Sequence, residues 1–106
     1  MIVTTGNEVA GCTITGYLGI VRGLVVRSPT IMQGIAGGLK QVVGGNIESY
    51  AKACETARKE AYDRLAAHAN EMGAHAVIGM RYDATEFAAG ITEVLAYGTA
   101  VTLRRG

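Results

Sequence analysis

From Ile47 to Met72 apolar residues recur with the period of a helix. At ~100° per residue, Ile47, Tyr50, Ala51, Cys54, Ala57, Ala61, Leu65, His68, Ala69 and Met72 fall on one stripe, and Lys52, Glu55, Lys59, Glu60, Asp63, Asn70 and Glu71 lie outside it. The pattern predicts one long amphipathic helix. Asn46 is placed as its N-cap and Gly73 as a left-handed C-terminal cap. Its length, roughly 39 Å at ~1.5 Å per residue, exceeds what one small sheet needs, so the helix is expected to reach a neighbouring copy.

The pattern differs on either side of this stretch. Ile2 to Thr5 is a short β-branched start. Cys12 to Arg27 is rich in Val, Ile, Thr and Leu and broken by Gly16, Gly19 and Gly23, which predicts a long, bent strand with glycines at bulges or close approaches. Its two faces, Leu18, Ile20, Leu24, Val26 and Tyr17, Val21, Val25, are both apolar, so both are expected to be covered. Ser28 and Pro29 open a short glycine-rich helix with Ile31, Ile35, Leu39 and Val42 on its stripe. Its interior glycines Gly34, Gly37 and Gly38 each cost up to ~1 kcal/mol relative to alanine, so it needs packing support. After the long helix, Ala76 to Tyr82 and Ile91 to Leu103 are predicted strands, joined by a loop holding Asp83, Glu86 and Gly90. On the last strand Val94, Ala96, Gly98 and Ala100 make a face of small residues, suited to close approach. The expectation is one α+β domain over residues 1–106, a small antiparallel or mixed sheet of three to four strands packed by the two helices.

Composition adds a reason to associate. Of the 106 residues 49% are apolar and only 18% charged, against about 25% charged in ordinary soluble domains. A chain this short has little interior, so self-association is expected to bury the surplus. Ten basic against nine acidic side chains leave no field for nucleic acid, and no basic patch interleaves with aromatics. No apolar run reaches the ~18 to 20 residues of a membrane span. No charged leader precedes a short apolar segment, and a cytoplasmic location is expected. Cys12 and Cys54 fit no paired framework and should then stay reduced.

Candidate chemistry is sparse. The metal-ligand candidates are Cys12, Cys54, His68 and His75, and helical spacing sets Cys54 and His68 ~21 Å apart, too far to share an ion within one chain. Cys54, mid-stripe, reads as a buried structural cysteine, His68 as a surface or interface histidine. Any shared site then needs symmetry to bring copies together. Arg58 falls within the stripe and needs partners, with Glu55, Tyr50 and Tyr62 in helical reach. It reads as an interface residue, or as a fork for a carboxylate or phosphate. GIAGGLK lacks phosphate-loop spacing. Asp83 and Glu86 are the one paired-carboxylate candidate, placed in a turn where such residues serve as solvated punctuation. No nucleophile arrangement appears, and a non-enzymatic protein is expected.

The order of residues along the whole chain resembles the YbjQ-like family of small bacterial and archaeal proteins. The likeness is carried by Thr4 and Thr5, by Tyr17 to Val21 with Gly23, and by Val43, Gly44 and Gly45. It continues through Tyr50, Ala57, Arg58, Ala61 and Leu65, then Gly73, Ala74, Ala76, Val77 and Gly79, and ends with Gly98 to Val101. The resemblance implies a compact α+β subunit of dodecin-like shape in a homopentameric ring, and a family label of heavy-metal binding that no fixed cysteine and histidine motif supports here. A transition-metal ion is the cofactor that label would imply. The first expectation is therefore a non-enzymatic ring with any ligand near Arg58, Tyr50 and Cys54 or on its axis. The alternative is a ring that binds a flavin-like or anionic small molecule, using Tyr17, Tyr62 or Tyr97 as stacking surfaces. A catalytic oligomer using Asp83 and Glu86 beside Arg81 or Arg58 is the third.

Overall fold

The structure, a computed structural model, describes residues 1–27 and 47–106, with side chains from residue 51 onward in the second stretch. The predicted glycine-rich helix and the Asn46 cap lie outside the described residues. The elements are β1 (Ile2–Val3), β2 (Cys12–Arg27), α1 (Ile47–Glu71), β3 (Ala76–Ala88) and β4 (Ile91–Arg105). They form one mixed sheet in the order β1-β3-β4-β2, in which β1 runs parallel to β3 and the other pairings are antiparallel. This is the expected α+β class with four strands.

The helix ends as its sequence directs. Gly73 adopts φ 78°, Ala74 N donates to Ala69 O at 3.0 Å, and Gly73 N donates to Asn70 O at 3.0 Å, which together make a Schellman cap. Ala57, Ala61, Leu65 and Ala69 form its buried stripe. Ala61, Leu65 and Ala69 pack on Val21, Val25, Val77, Met80, Ala96 and Ala100, with Tyr62 and Val94 at the margin. Small residues on both sides let the backbones approach closely. At Gly23 an added Cβ would overlap the Ala61 carbonyl oxygen and stand 2.5 Å from Leu65 N.

Bulges set which side chains reach this core. Register shifts at Gly16 and Gly19 bend β2, and another between Ile78 and Arg81, with Gly79 at φ 60°, flips the alternation of β3. Val77 and Met80 thereby both face the helix, while Ala76 and Ile78 join Val9 and Val101 in a second cluster on the other side.

Several expectations are corrected here. The loop predicted around Asp83 and Glu86 is strand, because β3 runs on to Ala88 and only the turn before Ile91, with Gly90 at φ 72°, breaks the ladder. Acidic and alanine residues hid a strand that pairing with β4 enforces. Cys54 is exposed rather than buried, and Arg58 is exposed as well. The expectation that both faces of β2 are covered is a different case: among the described residues of the single chain Val21 and Val25 are buried, while Ile20, Leu24 and Val26 are exposed, Ile20 at 75%, which leaves the second face to the neighbouring copy expected to cover it.

Candidate functional site

Two of the expected ligand-or-interface residues, Arg58 and Tyr62, lie where α1 faces the β3–β4 hairpin. Tyr62 is half-buried against the main core, and Arg58 lies one turn earlier, exposed. Tyr82 joins them from β3, since it opposes Ala96, which faces the helix. Partial burial pushes the Tyr82 phenol above its ordinary 10.0. The nearby Tyr62 adds to that rise, the Arg58 guanidinium opposes it, and Glu55 and Asp63 add smaller upward pushes. The corner thus presents a neutral phenol donor beside a guanidinium, which suits a carboxylate or phosphate. Tyr82 escaped the sequence reading because β3 was ended at that residue. Plain alternation from Val77 would put it on the other side, and only the bulge at Gly79 turns it to the helix. Tyr50 lies in the first turn of α1, with its side chain outside the described residues, and Tyr17 stands on edge strand β2, 72% exposed and far from this corner.

The four soft-metal candidates are not brought together. Cys12 packs at the margin of the second cluster and Cys54 is exposed on the helix. His75 lies at the same end of the sheet as Cys12, but the two flank β4 on opposite sides, at least two strand spacings or ~10 Å apart. Each histidine also has its lone pair engaged. His68 Nδ1 accepts the Arg22 N–H at 3.2 Å, and His75 Nδ1 accepts the Leu103 N–H at 2.8 Å. A neutral imidazole has one such acceptor nitrogen, so the other carries the proton and is closed to a metal. Both rings instead serve as pairing partners for strand amides that lack one. Among the described residues no three His, Cys, Asp or Glu side chains are placed to hold an ion. The donors present do not fit a heavy-metal centre within one subunit.

The paired-carboxylate reading fails on geometry. Asp83 and Glu86 are three residues apart in a strand, so they point to opposite faces. Asp83 Oδ1 accepts the Ala84 N–H at 2.9 Å, and Glu86 Oε1 accepts the Gly90 N–H at 3.3 Å. They hold local hairpin backbone instead of a shared proton.

The comparisons agree with the overall plan. A family model described as "Putative heavy-metal-binding" matches residues 1–104. A UPF0145 protein of Legionella pneumophila strain Corby is 54% identical over 103 residues, covering 97% of this chain and 98% of the relative. A UPF0145 protein of Paraburkholderia phymatum is 53% identical over 104 residues, with 98% and 94% covered. Among solved structures, a protein of unknown function in the DUF74 family from Pediococcus pentosaceus superposes with a TM-score of 0.63 at 20% identity, covering 98% of each chain, which speaks to fold alone. With near-complete coverage by the model and by relatives above half identity, the chain belongs to the YbjQ family and its UPF0145 relatives.

Proposed function

We propose that this protein is a non-enzymatic subunit of a cytoplasmic homo-oligomeric ring, with five copies as the YbjQ resemblance implies. The observation that carries this reading is the sheet face turned away from α1. Val9 covers its far end over Ile78 and Val101, whereas Ile20, Leu24, Val26 and Tyr97 are left exposed side by side. A patch of this kind marks an interaction surface. Covering four such half-exposed side chains is worth about 3 to 6 kcal/mol per subunit before the costs of association. Balanced charge supports a copy of the chain as partner over nucleic acid. No helix among the described residues is long and apolar enough to cross a membrane.

Heavy-metal binding, in this reading, is not a property of Cys12, Cys54, His68 and His75 within one subunit. An ion held by the ring would take ligands from more than one copy. A second reading, an anionic small molecule held at a subunit boundary, rests on the Arg58, Tyr62 and Tyr82 corner. Native mass spectrometry of the protein as isolated, repeated after denaturation, tests both. A five-fold mass supports the ring, extra mass lost on denaturation weighs its ligand, and a monomer refutes the reading.

A further inference from the structure

One row of side chains runs straight across the sheet face turned away from α1. Arg22 on β2 and Arg81 on β3 both stand in register with Tyr97 on β4, and residues in register share a face. Their chain neighbours fix which face it is, since Val21, Met80 and Ala96 all pack toward α1. Strand spacing sets the two arginine backbones ~10 Å apart, one on each side of the phenol. Along β2 the row is flanked by Ile20 and Leu24, so Arg22 is a cation set within the exposed apolar patch.

Neither guanidinium is neutralised within the chain. The ion pairs among the described residues join Arg27, Lys59 and Arg64 to Glu60 and Asp63, and leave Arg22 and Arg81 out. Arg81 Nη1 donates to two uncharged carbonyls, Thr5 O at 2.9 Å and Met80 O at 2.8 Å, which steady the fork and leave the donors of Nη2 and Nε for another acceptor. Of the nine acidic residues five lie on α1, across the sheet, and Glu8 precedes β2. Glu86, in register with Thr92, points to the α1 side. Asp83 and Glu93 share the face of the row. Asp83 gives its Oδ1 to the Ala84 N–H, and Glu93 stands four residues from Tyr97, ~13 Å along β4. Residues 28–46 contain neither Asp nor Glu.

Covering this face takes two cations out of water, and a buried guanidinium without a counter-charge opposes whatever buries it. An oxyanion removes that penalty. The forked donors of arginine match the oxygens of a phosphate, and the Tyr97 ring gives a guanidinium plane a surface to stack on. We infer that the Arg22, Tyr97 and Arg81 row is an anion site that takes a phosphate group, either the free ion or one carried by a small molecule. It rests on the homo-oligomer reading for the cover over the site, while all three residues belong to one chain. The Arg58, Tyr62 and Tyr82 corner is a separate place, on the α1 side of the sheet.

Isothermal titration of the full chain with inorganic phosphate and with glycerol 3-phosphate, at ionic strength held constant with chloride, tests the site, and native mass spectrometry of the same samples reports the assembly. Saturable binding is expected in wild type, and whichever of the two compounds binds more tightly identifies the source of the phosphate. Arg22→Gln and Arg81→Gln, each folded by circular dichroism, should weaken it at least ten-fold, whereas Arg105→Gln should leave it unchanged. A wild-type oligomer that takes up neither compound overturns the site and leaves the assembly reading standing, as does an Arg22→Gln protein that binds like wild type. Loss of the oligomer in Arg22→Gln, with no phosphate bound by wild type, would assign the guanidinium to a neighbour's carboxylate and overturn the proposal. A monomeric wild type overturns the assembly reading alone where phosphate still binds through Arg22, and both where it does not.

Discussion

Replacing Gly23 by alanine probes the contact on which the helix-sheet layer depends. The new Cβ would overlap Ala61 O and sit 2.5 Å from Leu65 N and 2.9 Å from Arg64 Cβ. Two of these three neighbours are helix backbone, so no rotamer change relieves them, and α1 must lift by at least ~0.9 Å, which brings Leu65 N from 2.5 Å to an ordinary 3.4 Å, with Ala61 O, closer still, asking for more. A gap of that size forfeits a quarter to a half of each van der Waals contact across the Ala61, Leu65 and Ala69 seam. Overpacking of this kind costs about 1 to 3 kcal/mol, and a backbone clash belongs at the upper end. Reduced freedom of the unfolded chain returns about 0.4 to 1 kcal/mol. The net loss is about 2 kcal/mol, or roughly 8 to 16 °C in Tm for a domain of this size. Thermal unfolding followed by circular dichroism, at one fixed protein concentration, measures it. Exchange of the Arg22 amide should quicken as well, because lifting α1 draws His68 away from it. Gly6→Ala is the control, since its Cβ would meet nothing closer than Thr4 Oγ1 at 3.4 Å. A Gly23→Ala protein that melts within about 2 °C of wild type would refute the close approach, as that shift corresponds to under ~0.5 kcal/mol.

Three further outcomes are expected. His75→Ala removes the acceptor of the Leu103 N–H and should cost about 1 kcal/mol in chemical denaturation, with the Leu103 amide losing protection; unchanged exchange there would show that the imidazole does not serve the strand. Combining Cys54→Ser with His68→Ala should leave zinc stoichiometry in isothermal titration where wild type has it, and a loss of binding would restore those residues as ligands. Tyr82 has a raised folded-state pKa, so the unfolded chain gives up that proton first. Its contribution to stability is fully present below pH 10.0 and is lost as pH rises through the folded value. Tyr82→Phe should flatten the fall in Tm above pH 10, and an identical slope in both proteins would remove Tyr82 as its source.

The helix, its Gly73 cap and the long β2 strand follow from local pattern, because periodicity and a left-handed glycine act over a few residues of chain. Local pattern also marked the small face of β4 as one closely approached, and α1 is what approaches it. What the chain could not reveal alone depends on partners distant in sequence. Asp83 and Glu86 read as loop until β4, folding back beside them, supplies the ladder that makes them strand. His68 and His75 read as ligand candidates because residue type carries chemistry but not its occupation. Only the tertiary structure sets Arg22 N and Leu103 N against their nitrogens, 46 and 28 residues away, and so takes up the lone pairs a metal would need. The apolar excess was legible in composition. Which face it lies on was decided by α1 crossing one side of the sheet and leaving Ile20, Leu24, Val26 and Tyr97 on the other.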